Sequence, residues 1–185
     1  MSKIGEKIIE VPATVTLTID KNKINVKGSL GELNFILPNK LSFEKNNNQL
    51  SIKRANDEKK VKSIHGLYRQ LIYNAIVGVE KPWEKRLEIV GTGFNVKLQG
   101  EDLVFKVGYS HSVIFKKVEK IKYQVIGTNK VVISGIDKQF VGEIAYQIKI
   151  IKKPDAYKGK GIRYEGEKLR IKPGKKAKAA MTSAA

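Results

Sequence analysis

The chain has 185 residues, 41% of them apolar, which is enough for one or two small globular domains with their own cores. Its 36 basic and 18 acidic side chains give a net charge of +18, which favours nucleic acid, an anionic membrane surface or an acidic protein as partner. The lack of cysteine excludes disulfides, a thiol nucleophile and cysteine zinc ligands, and no apolar run approaches the roughly 18 residues of a membrane span.

The N-terminus shows no apolar stretch behind its first charges, so we expect no secretory signal and a soluble, cytoplasmic protein. The first half of the chain then has the pattern of several strands followed by one helix. Polar and apolar residues alternate, as in strands, over residues 14–20, 23–27, 33–37 and 49–53. From Val61 to Val79 apolar residues recur every three or four positions, which predicts an amphipathic helix that Asn56 or Asp57 would cap.

The second half repeats this order of elements. Strand-like segments occur at residues 86–90, 95–99, 102–107, 121–125 and 131–133. Asp137 is then placed to cap a second helix, whose apolar stripe runs from Phe140 to Ile151 and which Pro154 ends.

The repeated order predicts an α+β protein with internal duplication: two similar small domains, each an antiparallel or mixed β-sheet packed with one α-helix. We place an N-terminal domain at residues 1–81 and a C-terminal domain at residues 82–172, followed by a basic flexible tail at residues 173–185. The weaker alternative is that any antiparallel sheet produces such alternation, since sequence identity between the halves is low.

The residue pattern does not indicate an enzyme. His65 and His111 are the only histidines, and neither has a second metal-ligating residue at the spacing of a metal site. We expect His65 to be a partly buried helix residue and His111 to be a turn residue. Gly91 and Gly93 lack the third glycine and the following helix of a dinucleotide loop, so a hairpin turn is expected instead. We therefore predict no catalytic residue, no metal, no cofactor and no small-molecule substrate.

The basic charge is concentrated near the C-terminus. Residues 152–178 contain eleven lysines and arginines against three acids, so this stretch holds +8 of the total charge of +18. Cations suit phosphates, tyrosine rings stack on bases, and glycines allow close approach of the backbone. We expect an extended loop after Pro154, held close to its domain, as the RNA-binding segment of residues 152–172.

Arginine is rare in this chain, yet two of its five copies lie in this stretch, where a guanidinium can bind phosphate through two hydrogen bonds. Simpler explanations are that the lysines after the second helix complement its dipole and that one tyrosine packs on the domain edge. The predicted RNA-binding residues are Lys152, Lys153, Tyr157, Lys158, Gly159, Lys160, Gly161, Arg163, Tyr164, Arg170, Lys172, Lys175 and Lys176.

The run Pro-Asp-Ala-Tyr-Lys-Gly-Lys-Gly-Ile-Arg-Tyr at residues 154–164, followed by Glu167 and Arg170, resembles the C-terminal signature of the universal L-six family of bacterial-type large-subunit (50S) ribosomal proteins. Further similar motifs cover nearly the whole chain. They are Val-Pro-Ala at 11–13, Val-Lys-Gly at 26–28 with Gly-Glu-Leu at 31–33, Val-Gly-Thr-Gly-Phe at 90–94, Gly-Tyr-Ser-His at 108–111, and Gly-Ile-Asp-Lys-Gln at 135–139 with Gly142.

The resemblance implies two domains of like fold and a structural, non-enzymatic role in translation. It implies binding to large-subunit (23S-type) rRNA chiefly through the C-terminal domain, near the stalk base and the sarcin–ricin region. The implied partners are this rRNA, neighbouring large-subunit proteins and nearby translation factors, in a ribosome-bound, cytoplasmic protein without a membrane partner.

Two other functions fit the composition. A free architectural protein that binds DNA is the alternative, although glycines interleaved with tyrosines favour irregular RNA, whose unpaired bases are open to stacking. A peripheral membrane protein would need a basic amphipathic helix with exposed apolar residues, whereas both apolar stripes here are needed for cores.

Overall fold

The structure is a computed structural model that describes residues 4–20, 22–46 and 48–172. It is an α+β fold, as predicted, with two helices and thirteen strands among these residues. Tertiary contacts divide the chain into two units. The first unit comprises the residues up to Glu84 with Val118–Lys122 and Ile133–Glu143, and the second comprises Lys85–Lys117, Tyr123–Val132 and the residues from Ile144 onward.

Six short strands precede the first helix. They form two three-stranded antiparallel sheets, of order β2-β3-β4 and β1-β6-β5. Their bounds are β1 (Ile9–Glu10), β2 (Thr16–Asp20), β3 (Lys23–Gly28), β4 (Gly31–Ile36), β5 (Leu41–Asn46) and β6 (Gln49–Arg54).

Helix α1 (Lys59–Glu80) supplies one side of the first core. Its fully buried residues Ile72, Ile76 and Val79 belong to one apolar cluster with Ile24 of β3 and Leu50 of β6. Each such side chain contributes roughly 1.5–3 kcal/mol by leaving water. The stripe predicted between residues 61 and 79 is therefore the core face of this helix.

The start of α1 differs from the prediction. Glu58 occupies the cap position and makes no capping hydrogen bond with its side chain. Asp57 instead accepts a hydrogen bond of 2.7 Å from Nε of Arg54, which makes its carboxylate an ion-pair partner. The Arg54 hydrogen bond also lowers the pKa of Asp57 below its ordinary value.

His65 is buried, with 2% of its surface exposed, rather than partly buried as predicted. Its Nε2 donates to the carbonyl of Ile52 at 2.7 Å, and its Nδ1 faces Nη1 of Arg54 at 3.3 Å. Gly5 lies directly against the ring, where a β-carbon would come within 2.4 Å of Nδ1. The ring is thus a packed, hydrogen-bonded core residue.

The second half contains seven strands and one helix within the described residues. Strand order is β10-β9-β8 in one sheet and β11-β12-β7-β13 in the other. The elements are β7 (Trp83–Val90), β8 (Asn95–Gln99), β9 (Asp102–Lys106), β10 (Val113–Phe115), β11 (Ile121–Ile126), β12 (Lys130–Gly135), α2 (Lys138–Ile151) and β13 (Gly161–Tyr164).

Helix α2 begins as predicted. Oδ1 of Asp137 accepts a hydrogen bond of 2.9 Å from the backbone N–H of Gln139, which satisfies one free donor of the first turn. Its residues Val141, Ile144, Ala145 and Ile148 are buried, so the predicted stripe again faces the interior. No helix of the described residues is long and apolar enough to cross a membrane.

Candidate nucleic-acid interface

The basic segment, residues 152–172, is fastened to a sheet edge by β13. This strand pairs antiparallel with β7, with Gly161 opposite Val90 and Tyr164 opposite Leu87. Two further backbone bonds, from Ile162 N–H to the Lys152 carbonyl (2.8 Å) and from Glu165 N–H to the Arg86 carbonyl (3.0 Å), extend the attachment. The predicted extended loop therefore continues into a strand, which the sequence pattern did not indicate.

The turn before β13 is organised by Asp155. Its Oδ2 accepts hydrogen bonds from the backbone N–H groups of Lys158 (2.8 Å) and Tyr157 (3.3 Å). These bonds, the Lys158 N–H first, hold the pKa of Asp155 below its ordinary value, although burial opposes them. The backbone of Asp155 makes two further hydrogen bonds: its N–H donates to the Lys160 carbonyl, and its carbonyl accepts from the Gly159 N–H. The turn is consequently closed and presents the side chains of 157, 158 and 160 outward.

Both glycines of the predicted site are buried and shape this turn. Gly159 has φ +67°, and an added β-carbon would lie 3.5 Å from Leu169. Gly161 has φ +148°, and its β-carbon would lie 2.7 Å from the Lys153 carbonyl oxygen and from Cα of Pro154. The close backbone approach expected of these glycines is thus made to the protein's own chain.

The acids of the basic segment are engaged by cations of the second unit. Glu165 pairs with Lys130 at 3.0 Å, and this hydrogen bond is the main reason why the pKa of Glu165 is lowered and that of Lys130 is raised. Glu167 accepts from Nζ of Lys149 at 2.5 and 2.7 Å, which lowers the pKa of Glu167. Each of the segment's three acids is thus engaged: Asp155 by backbone amides and by the charge of Lys158, and Glu165 and Glu167 by lysines outside the segment.

Arg163 and Tyr164 are half-buried residues of β13. Nε and Nη2 of Arg163 donate to Oε2 of Glu88, at 3.3 and 3.2 Å, across the register of β13 and β7. Nζ of Lys149 lies 4.5 Å from the centre of the Tyr164 ring. These two residues are therefore partly occupied with holding the segment, and Tyr164 is the tyrosine that packs on the domain.

The remaining predicted residues offer charge and an aromatic ring to the outside. Tyr157 is 59% exposed, and Lys160 donates to Oγ1 of Thr92 at 3.1 Å while staying exposed. Five further cations are exposed and have no ion pair within the described residues: Lys153, Lys158, Lys168, Arg170 and Lys172. Lys175 and Lys176, like the predicted tail, lie outside the described residues.

Sequence reasoning missed the partners that hold the segment in place. Glu88 lies between the buried Leu87 and Ile89 on β7, so strand alternation could have marked it as a side chain on the opposite face. Lys149 lies in the last turn of α2, and nothing local in the sequence shows that Glu167 folds back to it. No cluster of three metal-ligating side chains occurs in the described part of the chain.

Comparison with known proteins agrees with the sequence resemblance. The family model for ribosomal protein L6 matches the chain twice, at residues 11–81 and 90–165, which agrees with the predicted duplication. Large ribosomal subunit protein uL6 of Natranaerobius thermophilus is 42% identical over 96% of this chain and 100% of its own length. The uL6 proteins of Staphylococcus carnosus (44%, over 96% of this chain and 100% of the relative) and Syntrophomonas wolfei (44%, 95% and 98%) are similar. The chain therefore belongs to the ribosomal protein L6 family.

Proposed function

We propose that this protein is a structural constituent of the large ribosomal subunit that binds large-subunit rRNA through the basic segment. The observation that carries the proposal is the separation of charges within residues 152–172. All three acids are engaged, whereas Lys153, Lys158, Lys168, Arg170 and Lys172 are exposed and unpaired within the described residues. Such a surface gains affinity by releasing counterions from phosphates.

RNA is favoured over duplex DNA because the same surface carries Tyr157, a 59% exposed ring beside these cations. An exposed ring stacks on unpaired bases, which folded rRNA provides and a regular duplex does not. We further propose the finer setting that the family resemblance implies. The rRNA site would lie near the stalk base and the sarcin–ricin region, with other large-subunit proteins and translation factors nearby, in a ribosome-bound cytoplasmic protein without catalytic activity.

The domain assignment forms part of this proposal. We place the N-terminal domain at residues 1–81 and the C-terminal domain, which carries the basic segment, at residues 82–172. The two separate family matches support this division.

Binding measurements at one fixed salt concentration test the function. We expect tighter binding to folded fragments of large-subunit rRNA than to duplex DNA of equal phosphate number, and co-sedimentation with large subunits that persists through moderate salt. Equal or tighter binding to duplex DNA, without co-sedimentation, would contradict the proposal and favour a free architectural protein. Flotation with anionic liposomes but not with neutral ones would instead favour a membrane-surface role.

A further inference from the structure

Two aromatic side chains protrude from the loop between β9 and β10. Tyr109 is 45% exposed and His111 is exposed as well. Their rings are nearly parallel, with an angle of 17° between the planes and 6.2 Å between the centroids. Exposed aromatic rings on a protein of net charge +18 are suited to stacking on the bases of a nucleic acid.

The Tyr109 ring is held in place by a hydrogen bond of its hydroxyl and by close packing of its loop. Its hydroxyl donates to the carbonyl of Ile151, the last residue of α2, at 2.8 Å. The preceding Gly108 has φ +78°, and a β-carbon there would lie 2.9 Å from Phe94, so the loop is closely packed where it turns. The ring is consequently preorganised: its hydroxyl is satisfied, and the residue stays 45% exposed.

A lysine of the basic segment completes this arrangement. Nζ of Lys152 lies 4.5 Å from the centre of the Tyr109 ring, within the range of a cation–π contact. The backbone carbonyl of Lys152 accepts the hydrogen bond from Ile162 of β13, so the same residue joins the ring pair to the attached segment. Lys152 has no ion pair within the described residues.

We propose that Tyr109, His111 and Lys152 form a stacking platform for one unpaired nucleobase of the bound RNA. The aromatic rings offer the stacking surface, and the Lys152 ammonium lies where it can meet the phosphate of the stacked nucleotide. Stacking on tyrosine tolerates any base because every base has a π face, so the platform contributes affinity rather than sequence choice. The inference rests on the proposed function and adds a second contact region, outside the loop of residues 155–160.

Two oligomers of equal charge, one with bases and one without, distinguish the contribution of base stacking to affinity from the contribution of charge. The probes are an eight-nucleotide oligoriboadenosine and an eight-unit ribose-phosphate chain without bases, measured by competition against a labelled rRNA fragment. Wild type should prefer the adenosine oligomer. Tyr109→Leu should weaken binding of the adenosine oligomer by roughly 5-fold to 150-fold, the usual range for losing one aromatic–base stack, and leave the abasic chain unchanged.

Three companion variants make the result specific. Tyr109→Phe removes only the hydroxyl and should keep most of the preference for bases. His111→Ala, at an exposed position, should reduce the preference without affecting folding, which keeps the test valid if Tyr109→Leu fails to fold. Tyr146→Leu changes a 54% exposed tyrosine of α2 and should behave as wild type with both oligomers.

The outcomes distinguish the platform from the wider function. If the wild-type protein does not bind large-subunit rRNA, the proposed function is contradicted. If it binds rRNA but folded Tyr109→Leu and His111→Ala keep the wild-type preference for bases, only the platform is overturned. An equal loss of affinity for both oligomers would also overturn it, because the effect would then be one of charge or fold.

Discussion

Gly161 is the position at which one β-carbon should detach the basic segment most effectively. In Gly161→Ala the new atom would lie 2.7 Å from two backbone atoms, the Lys153 carbonyl oxygen and Cα of Pro154. Backbone cannot rotate away as a side chain can, so either β13 or residues 153–154 must shift. Alanine would also have to adopt φ +148°, a conformation that residues with a side chain rarely take.

The expected cost follows from these two contributions. A sparsely populated backbone conformation costs about 1–3 kcal/mol, and forcing an extra methyl into a packed site costs about 1–3 kcal/mol. Because a shift of the chain relieves part of both, we expect Gly161→Ala to lower the free energy of unfolding by about 2–5 kcal/mol. Urea unfolding followed by circular dichroism measures this change.

Two other glycines separate the contributions. Gly166 has φ +77° with nothing within 4 Å of an added β-carbon, so Gly166→Ala should cost only the conformational share of about 1–2 kcal/mol. Gly142 lies within α2 and also has open space, so Gly142→Ala should gain about 0.5–1 kcal/mol. If Gly161→Ala and Gly166→Ala unfold at the same urea concentration, the close approach of β13 to residues 153–154 is not as described.

Three further expectations concern acid sensitivity, the core histidine and the domain boundary. Folded-state pKa values are lowered for Asp155, Glu165 and Glu167. Their contribution to stability is therefore complete above the ordinary carboxyl pKa values of 3.8 (Asp) and 4.5 (Glu) and is lost as the pH falls through the lower folded-state values. Urea midpoints that stay constant down to pH 3 would contradict this. His65→Ala removes the bond to the Ile52 carbonyl and leaves a cavity, so it should lower the free energy of unfolding by about 2–4 kcal/mol, whereas His111→Ala should change it by less than about 0.5 kcal/mol. If His65→Ala and His111→Ala lowered the thermal unfolding temperature by similar amounts, His65 would not be the buried, hydrogen-bonded core residue described. A fragment of residues 82–172 should unfold cooperatively by itself if the proposed boundary is right; a gradual, non-cooperative transition in calorimetry would show that it is not.

Local sequence patterns predict the helices and most strands, because the apolar residues of each of these elements determine which of its faces is buried. The stripes of α1 and α2 and most strands of both halves follow from periodicity, and Asp137 caps α2 by accepting from the backbone N–H of Gln139. Asp57 shows the opposite case. It also precedes a helix, but its carboxylate accepts from Nε of Arg54, three residues earlier, and the capping preference of aspartate does not show that this neighbour engages it instead.

The attachment of the basic segment was beyond local reasoning. β13 has only four residues, Gly-Ile-Arg-Tyr, and although isoleucine and tyrosine favour strands, so short a run within a charged, glycine-rich stretch does not identify one. Its pairing depends on β7, more than seventy residues earlier, and on the Glu88–Arg163 ion pair that crosses between the two. The sequence predicts Gly159 and Gly161 as RNA-binding residues, and it does not show that both are buried or that Gly161 lets the chain pass close to itself.

The sequence predicts where the cations are concentrated, but not which of them form ion pairs in the folded protein. The excess of cations after residue 152 is a property of composition alone. Which of them remain unpaired depends on where Lys130, Lys149 and the amides of the turn engage the three acids, and that arrangement is tertiary. The structure thus separates Arg163, which is engaged by Glu88, from Lys158, Arg170 and Lys172, which form no ion pair in the described part of the chain.

The salt dependence of rRNA binding by two matched triple variants tests the central claim most directly. One variant changes Lys158, Arg170 and Lys172 of the basic segment to alanine, and the other changes Lys23, Lys27 and Lys45 of the first unit, which are exposed as well, to alanine. Neither should alter stability appreciably, because exposed unpaired lysines and arginines contribute little to folding. The first variant should bind large-subunit rRNA more weakly, and its slope of log affinity against log salt should flatten by roughly 2, at about 0.7–0.9 per lost phosphate contact. The second should retain nearly the wild-type slope; equal losses in both variants would contradict the basic segment as the RNA-binding site.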